Sequence, residues 1–114
     1  MALRLIEVPY IPADHAAALA WLDRFFKATA LNPGAFGVDP RDVASLGEML
    51  REFRETYLLT AAHDQQSSLA AAERIILARN AVVQSVQRMV RTINANPLTS
   101  DEDRTLLGLS NTPV

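Results

Sequence analysis

Apolar residues that recur at helical spacing constrain this chain more than any other feature of its sequence. Between Pro40 and Ala62 the spacing alternates between three and four residues and marks one stripe: Val43, Leu46, Leu50, Phe53 and Tyr57. Acidic side chains occupy the opposite side of that helix and are expected in solvent: Glu48, Glu52 and Glu55. The pattern predicts an amphipathic helix that has to bury its stripe against another element.

Two further stretches carry the same periodicity. One runs from about Asp14 to Ala30 and has an aromatic-rich stripe: Ala18, Trp21, Leu22, Phe25, Phe26 and Thr29. The other runs from about Leu69 to Ala95 with a longer stripe: Leu69, Ala72, Ile75, Ile76, Val82, Val83, Val86, Met89, Val90 and Ile93. The sequence therefore predicts three long helices.

Helix stops and caps separate these stretches. Asn32-Pro33 ends the first helix, because the residue before a proline avoids helical geometry. Asp39 is then expected to cap the second helix, with Pro40 in its first position. The second break is the polar run 63–68, which predicts a turn although nothing in it forbids a continuous helix.

The third long helix is expected to end at a second Asn-Pro pair, Asn96-Pro97. A capping box follows, in which Thr99 caps a short helix and Glu102 stands three residues later. That helix carries Leu106 and Leu107 and is expected to end at Gly108.

These elements predict an all-α fold: an up-down-up three-helix bundle, closed by a short fourth C-terminal helix and preceded by an extended N-terminal arm. The 114 residues have room for one domain. We expect the arm at residues 1–12, the bundle at 13–109 and a linker-like tail at 110–114.

The N-terminal arm is apolar without being helical, because Pro9 and Pro12 each lack a backbone N–H. It presents six large apolar side chains to be covered: Leu3, Leu5, Ile6, Val8, Tyr10 and Ile11. Two arrangements are open. The arm either lies along its own bundle or exchanges with that of a second chain, which would give a weak homodimer through the arm.

Composition narrows the classes of function. The chain has no cysteine, so thiolate metal sites and thiol nucleophiles are excluded. The net charge of −2 gives no pull toward nucleic acid, and no window approaches the ~20 apolar residues of a membrane span. Arg4 and Glu7 interrupt the N-terminal apolar stretch, so a secretory signal is not expected and the chain is predicted to be soluble and cytoplasmic. Phosphate-loop, dinucleotide and nucleophile-elbow motifs are missing, and no cofactor is expected.

Arg79 breaks the pattern of the third long helix, because helical spacing places it in the middle of the apolar stripe. A buried guanidinium needs partners, and Thr29, Tyr57 and Thr60 are the hydroxyls expected on facing stripes. Three interpretations are open. Arg79 is a structural side chain bonded to hydroxyls or carbonyls, a binding residue for an anion or carboxylate in the bundle core, or part of an interface with a partner chain.

A set of residues spread over the chain resembles a family of uncharacterised bacterial proteins, abundant in planctomycetes, that have alanine-rich helical N-terminal regions. The first part of the resemblance is carried by Ile11-Pro12, Trp21, Phe25, Asn32-Pro33, Phe36-Gly37-Val38, Asp42-Val43 and Leu46. The second part is carried by Arg91, Ile93, Asn96-Pro97, Thr99, Asp101, Arg104 and Leu107-Gly108-Leu109. In longer members a Thr/Pro-rich linker and a fibronectin-III-like β-sandwich follow. The resemblance implies a helical module, and Thr112-Pro113-Val114 is similar to the start of that linker.

The sequence thus favours a non-enzymatic helical interaction or spacer module with a protein partner. The alternative is a small-molecule-binding or catalytic bundle whose core pocket lies near Arg79.

Overall fold

The computed structural model of this chain describes residues 4–62 and 69–109, and every regular element within these residues is a helix. The helices are α1 (His15–Leu31), α2 (Pro33–Phe36), α3 (Pro40–Ala62), α4 (Leu69–Ala95) and α5 (Asp101–Leu106). The predicted all-α fold is confirmed. The predicted turn at 63–68, the tail at 110–114 and Leu3 of the arm lie outside the described residues.

Local capping sets the starts of α1 and α3 where the sequence predicts them. Asp14 caps α1, because its Oδ2 accepts a hydrogen bond from the backbone N–H of Ala17 at 2.9 Å. At the start of α3, Asp39 Oδ1 accepts from the N–H of Arg41 at 2.8 Å. Val38 and Val43 flank this cap and are both buried, which is the packing of a hydrophobic staple.

The connection between the first two long helices contains a helix that the sequence does not predict. Where the sequence predicts only a helix stop at Asn32-Pro33, the structure has the one-turn helix α2, because Pro33 suits a first helical position as well as it ends the preceding helix. Gly37 ends α2 in a left-handed conformation, with a φ of 72°.

The cap of α5 is Ser100 and not Thr99. Ser100 Oγ accepts from Asp103 N at 3.1 Å, and Asp103 Oδ2 accepts from Ser100 N at 3.3 Å, which forms the capping box one residue later than predicted. As a result Leu107 is buried and Leu106 is exposed.

The three long helices are antiparallel to their neighbours. At the start of α1, His15 lies beside Phe53, which is in the second half of α3. Further along α1, the carboxylate of Asp23 accepts from Arg54 Nη2 at 3.1 Å, and Phe26 meets Gly47 in the first half of α3. The helices α3 and α4 are antiparallel as well. Asp42 at the start of α3 shares a groove with Arg88 near the end of α4, whereas Thr56 near the end of α3 shares a groove with Arg74 near the start of α4. This is the predicted up-down-up order.

The arm and the C-terminal end close the bundle around a single tryptophan. Trp21 stacks on Phe25 with ring centroids 5.2 Å apart and meets Tyr10 of the arm at 5.6 Å. Gly108 lies against the indole nitrogen of Trp21. The arm residue Ile11 is buried. Four more apolar arm residues are half-buried: Leu5, Ile6, Val8 and Tyr10.

Candidate functional site

Arg79 lies where the helical spacing of the sequence places it, on the core-facing side of α4. Its side chain is only 2% exposed, between the buried residues Ile75 and Val83 of the same stripe. A guanidinium in such surroundings is stable only when its N–H groups find acceptors, because burial removes its water. The partners of Arg79 therefore decide what this residue does.

Backbone carbonyls of the N-terminal arm are the main acceptors. Arg79 Nη2 donates to the carbonyl of Pro12 at 2.7 Å, and Nη1 donates to the carbonyl of Ala13 at 2.9 Å. Both distances are typical of charge-assisted hydrogen bonds. The two carbonyls are adjacent along the chain, so the flat fork of the guanidinium holds the arm at the point where it enters α1.

A histidine completes the arrangement. Arg79 Nη1 also lies 2.9 Å from Nδ1 of His15. Because the arginine retains its proton, the ring has to accept through Nδ1, which requires neutral His15 with its hydrogen on Nε2. The ring is packed edge-on against Phe53 and Tyr57, with centroid distances of 5.9 and 6.2 Å.

The electrostatics agree with this hydrogen-bond pattern. Burial, and secondarily the Arg79 charge, lower the pKa of His15, whereas Asp14 raises it. Burial also lowers the pKa of Arg79, against the opposing influence of the Asp14 and Glu7 carboxylates. Neither carboxylate forms an ion pair with Arg79 in the part of the chain that the structure describes. The cation is held by dipoles rather than by an opposite charge.

The expected hydroxyl partners of Arg79 are replaced by these carbonyls. Thr29 Oγ1 donates to the carbonyls of Phe25 and Phe26 in its own helix, each at 3.0 Å. Tyr57 contacts the His15 ring instead. The side chain of Thr60 lies outside the described residues.

Asn80, which sequence reasoning missed, holds the arm one residue further along α4. Its Oδ1 accepts from the N–H of Ile6 at 2.9 Å, and its Nδ2 donates to the carbonyl of Arg4 at 2.8 Å. The amide thus pairs with the arm as a neighbouring strand would. Its one sequence signal is an amide placed next to Arg79 at the edge of the stripe. We call Arg79 and Asn80 together the arm clamp.

A cavity of about 400 Å³ lies beside the arm clamp and opens to solvent. Its walls are the arm residues Glu7, Val8, Pro9, Ile11 and Ala13, together with Arg79. Of the five N–H groups of Arg79, three are used by the arm and His15, and the Nε–H is enclosed without a partner. One N–H is left for a ligand, beside the negative Glu7. This geometry suits holding the arm better than binding an anion.

A second feature lies on the other side of the α3–α4 pair. A groove of about 280 Å³ is lined by Glu52 and Thr56 of α3 and by Arg74, Leu77, Ala78 and Ala81 of α4. Leu59, one turn beyond Thr56, is 64% exposed, and Leu77 is 55% exposed. We call the side of the pair that carries Glu52, Thr56, Leu59, Arg74, Leu77 and Ala81 the back face, because α1 and the arm pack on the opposite side.

The described residues contain neither a cluster of metal ligands nor a helix that could span a membrane. Within residues 4–62 and 69–109, no three or more histidine and carboxylate side chains lie together as metal ligands would. Among the helices of those same residues, none combines the length and the hydropathy that crossing a bilayer requires.

Comparison with protein-family models, with curated proteins and with solved structures finds no match to this chain.

Proposed function

We propose that this chain is a non-enzymatic helical interaction module and that the back face is its contact surface. The observation that carries the proposal is that two exposed leucines lie on adjacent helices near one groove: Leu77 lines it, and Leu59 lies one turn beyond Thr56, which also lines it. Single exposed leucines are ordinary on protein surfaces. Two that lie close to one groove favour a docking site for another helix.

The shape of the back face suits a helix. Ala78 and Ala81 keep the floor of the groove low, so a partner backbone is able to approach closely between Leu59 and Leu77. Covering one such leucine contributes roughly 1.5–3 kcal/mol relative to leaving it in water. Both leucines together supply a useful share of the energy of a weak complex, which begins at about 4 kcal/mol for millimolar affinity.

The use of Arg79 supports an interaction role over the small-molecule alternative. Its guanidinium is engaged by Pro12, Ala13 and His15, so the residue acts within the fold and fixes the arm against α4. With α1 and the arm on one side of the α3–α4 pair, the back face is the side left for a partner. We extend the proposal to a bacterial protein, on the resemblance that the sequence carries.

Site-specific photocrosslinking in the producing cell tests this function. A benzophenone amino acid at position 77 is expected to give discrete higher-mass adducts. The matched control places it at position 98, because Leu98 is also exposed, at 81%, and lies beyond the end of α4. If the back face is the contact surface, a crosslinker at position 77 gives many adducts and one at position 98 gives few. Equal yields at the two positions, or no adduct at 77, would show that the proposal is wrong.

A further inference from the structure

We propose that the occupant of the back face is a second copy of this chain, related by a two-fold axis parallel to the helices. The inference rests on the proposed function and adds the identity of the partner. It is carried by the distribution of charge on the two helices that form the face.

Two grooves run between α3 and α4, and the charged side chains that line them are acidic on the α3 side and basic on the α4 side. Asp42 and Glu52 lie on α3, whereas Arg74 and Arg88 lie on α4, and all four side chains are exposed. None of the four forms an ion pair within the described residues. Other acidic residues do pair: Asp23 with Lys27 and Arg54, and Glu55 with Arg51. Within the described residues, the charges of Asp42, Glu52, Arg74 and Arg88 are therefore available to a partner.

The charges are also matched in height along the bundle. Asp42 and Arg88 line one groove at the start of α3, while Glu52 and Arg74 line the other groove further along the same helix. The first groove thus has Asp42, with Asp39 beside it, opposite Arg88, and the second has Glu52 opposite Arg74, on neighbouring antiparallel helices.

This arrangement selects one symmetry. A two-fold axis that lies in the interface parallel to the helices places α3 of one protomer over α4 of the other at the same height, so that each acidic residue meets a basic one. An in-plane axis perpendicular to the helices would place α3 over α3 and bring like charges together, which is unfavourable. The parallel axis also places Leu77 of each protomer against α3 of the other, and the pairs of α3 and α4 form a four-helix bundle.

The resulting dimer is expected to be weak, because the apolar part of the face is small and exposed ion pairs contribute little each. Sedimentation of the full chain from about 10 µM to about 1 mM is the appropriate measurement, since a micromolar dissociation constant falls inside that range. We expect a monomer–dimer equilibrium whose limiting mass is that of two chains.

Charge reversal provides a sharp test. Glu52→Arg and Arg74→Glu are each expected to raise the dissociation constant about tenfold, because each change introduces repulsion twice in a two-fold dimer. The double variant, with both charges exchanged, is expected to return to within about threefold of the parent, because the complementarity is restored. Leu77→Glu is expected to remove the dimer, and Leu98→Glu is the matched control that leaves it unchanged. All these residues are exposed, and circular dichroism of each variant checks that it is folded.

The possible results separate the two proposals. A chain that stays monomeric at 1 mM overturns the dimer, and so does a dimer that survives Leu77→Glu. A dimer that is lost on deletion of residues 2–9 but not with Leu77→Glu identifies arm exchange as the contact instead. If position 77 crosslinks in cells to a different protein while the purified chain is monomeric, the interaction function stands and the second copy is refuted. Adducts with the mass of two chains support both.

Discussion

Replacing Gly108 by alanine should destabilise this protein more than any other glycine-to-alanine change at a turn. Gly108 follows α5 with a φ of +80°, which L-residues with a side chain rarely adopt. A Cβ at this position would lie 2.5 Å from Nε1 of Trp21 and 3.2 Å from its Cε2. Trp21 is itself packed between Tyr10 of the arm and Phe25 of α1, so it has little room to move away.

The size of the effect follows from three contributions. The left-handed conformation costs about 1–2 kcal/mol for a residue other than glycine. Moving the indole off its preferred rotamer costs about 0.5–1.5 kcal/mol, and weakening an aromatic contact costs a similar amount. Gly108→Ala is therefore expected to lower the free energy of unfolding by roughly 2–5 kcal/mol, which is a large part of the stability of a small domain.

Chemical denaturation followed by tryptophan fluorescence measures this change directly, because Trp21 is the only tryptophan of the chain. We expect a lower denaturation midpoint and an altered emission of the folded protein. Gly34→Ala is the control, since a Cβ there has no neighbour closer than 3.9 Å and the residue lies inside α2. A loss below about 1 kcal/mol with unchanged emission, or equal losses for the two variants, would refute the reasoning.

Three further predictions concern the arm and its clamp. The pKa of His15 is lowered from its ordinary 6.5, so the unfolded chain takes up the proton first as the pH falls. The free energy of unfolding should therefore be full above about pH 6.5 and decline below it. His15→Gln should remove this decline in urea titrations, and an unchanged dependence of stability on pH would contradict the assignment. Arg79→Met loses three hydrogen bonds of a charged donor, to Pro12, Ala13 and His15, at roughly 1.5–3 kcal/mol each. It also removes a buried cation whose desolvation costs several kcal/mol, so its melting temperature should change little. Arg79→Lys keeps the cation without the fork and should melt lower; the reverse order, or the loss of a ligand-induced melting shift in Arg79→Met, would favour the pocket alternative. Deleting residues 2–9 should lower the melting temperature at unchanged mass, because the arm lies on its own α4, whereas conversion of a dimer to a helical monomer would demonstrate arm exchange.

Those features of the fold that are encoded locally could be predicted from the sequence. The bounds of α3 and α4 follow from the apolar periodicity of each helix and from the stops and caps at its ends. Asp39 and Pro40, for example, mark the start of α3. The cap of α5 shows the limit of this approach. Thr99 with Glu102 and Ser100 with Asp103 both have the spacing of a capping box, and the structure forms the second of them.

The candidate site was only half accessible to sequence reasoning. Helical spacing is enough to find Arg79 on the buried face of α4, because a charge in an apolar stripe is visible in the sequence alone. Its acceptors are not, because Pro12 and Ala13 are 66 to 67 positions away and contribute backbone carbonyls, which carry no sequence signal. The same holds for Asn80, whose partners in the arm are 74 and 76 positions away.

Close approaches between helices are hidden for a related reason. Gly47 lies inside α3, where glycine costs about 1 kcal/mol relative to alanine, and nothing in the neighbouring sequence requires it. The structure supplies the reason, because a Cβ at Gly47 would come within 2.8 Å of the Phe26 ring. The missing side chain lets α1 pack closely on α3, and this packing fixes which side of α3 remains open.

The arm clamp fixes the path of the N-terminal arm more than it adds to the free energy of unfolding. A buried guanidinium beside the N-terminus of α1 lies at the positive end of the helix dipole, which is unfavourable for a cation, and Asp14 offsets this only in part while it caps the helix. An apolar side chain in place of Arg79 would pack without that cost, but it would not hold two consecutive carbonyls at a defined angle. With Arg79 and Asn80 in place the arm follows one course along α4 and covers the side of the α3–α4 pair that faces α1. The charged side chains of the back face are thereby left uncovered, and they form the surface on which we propose that a partner binds.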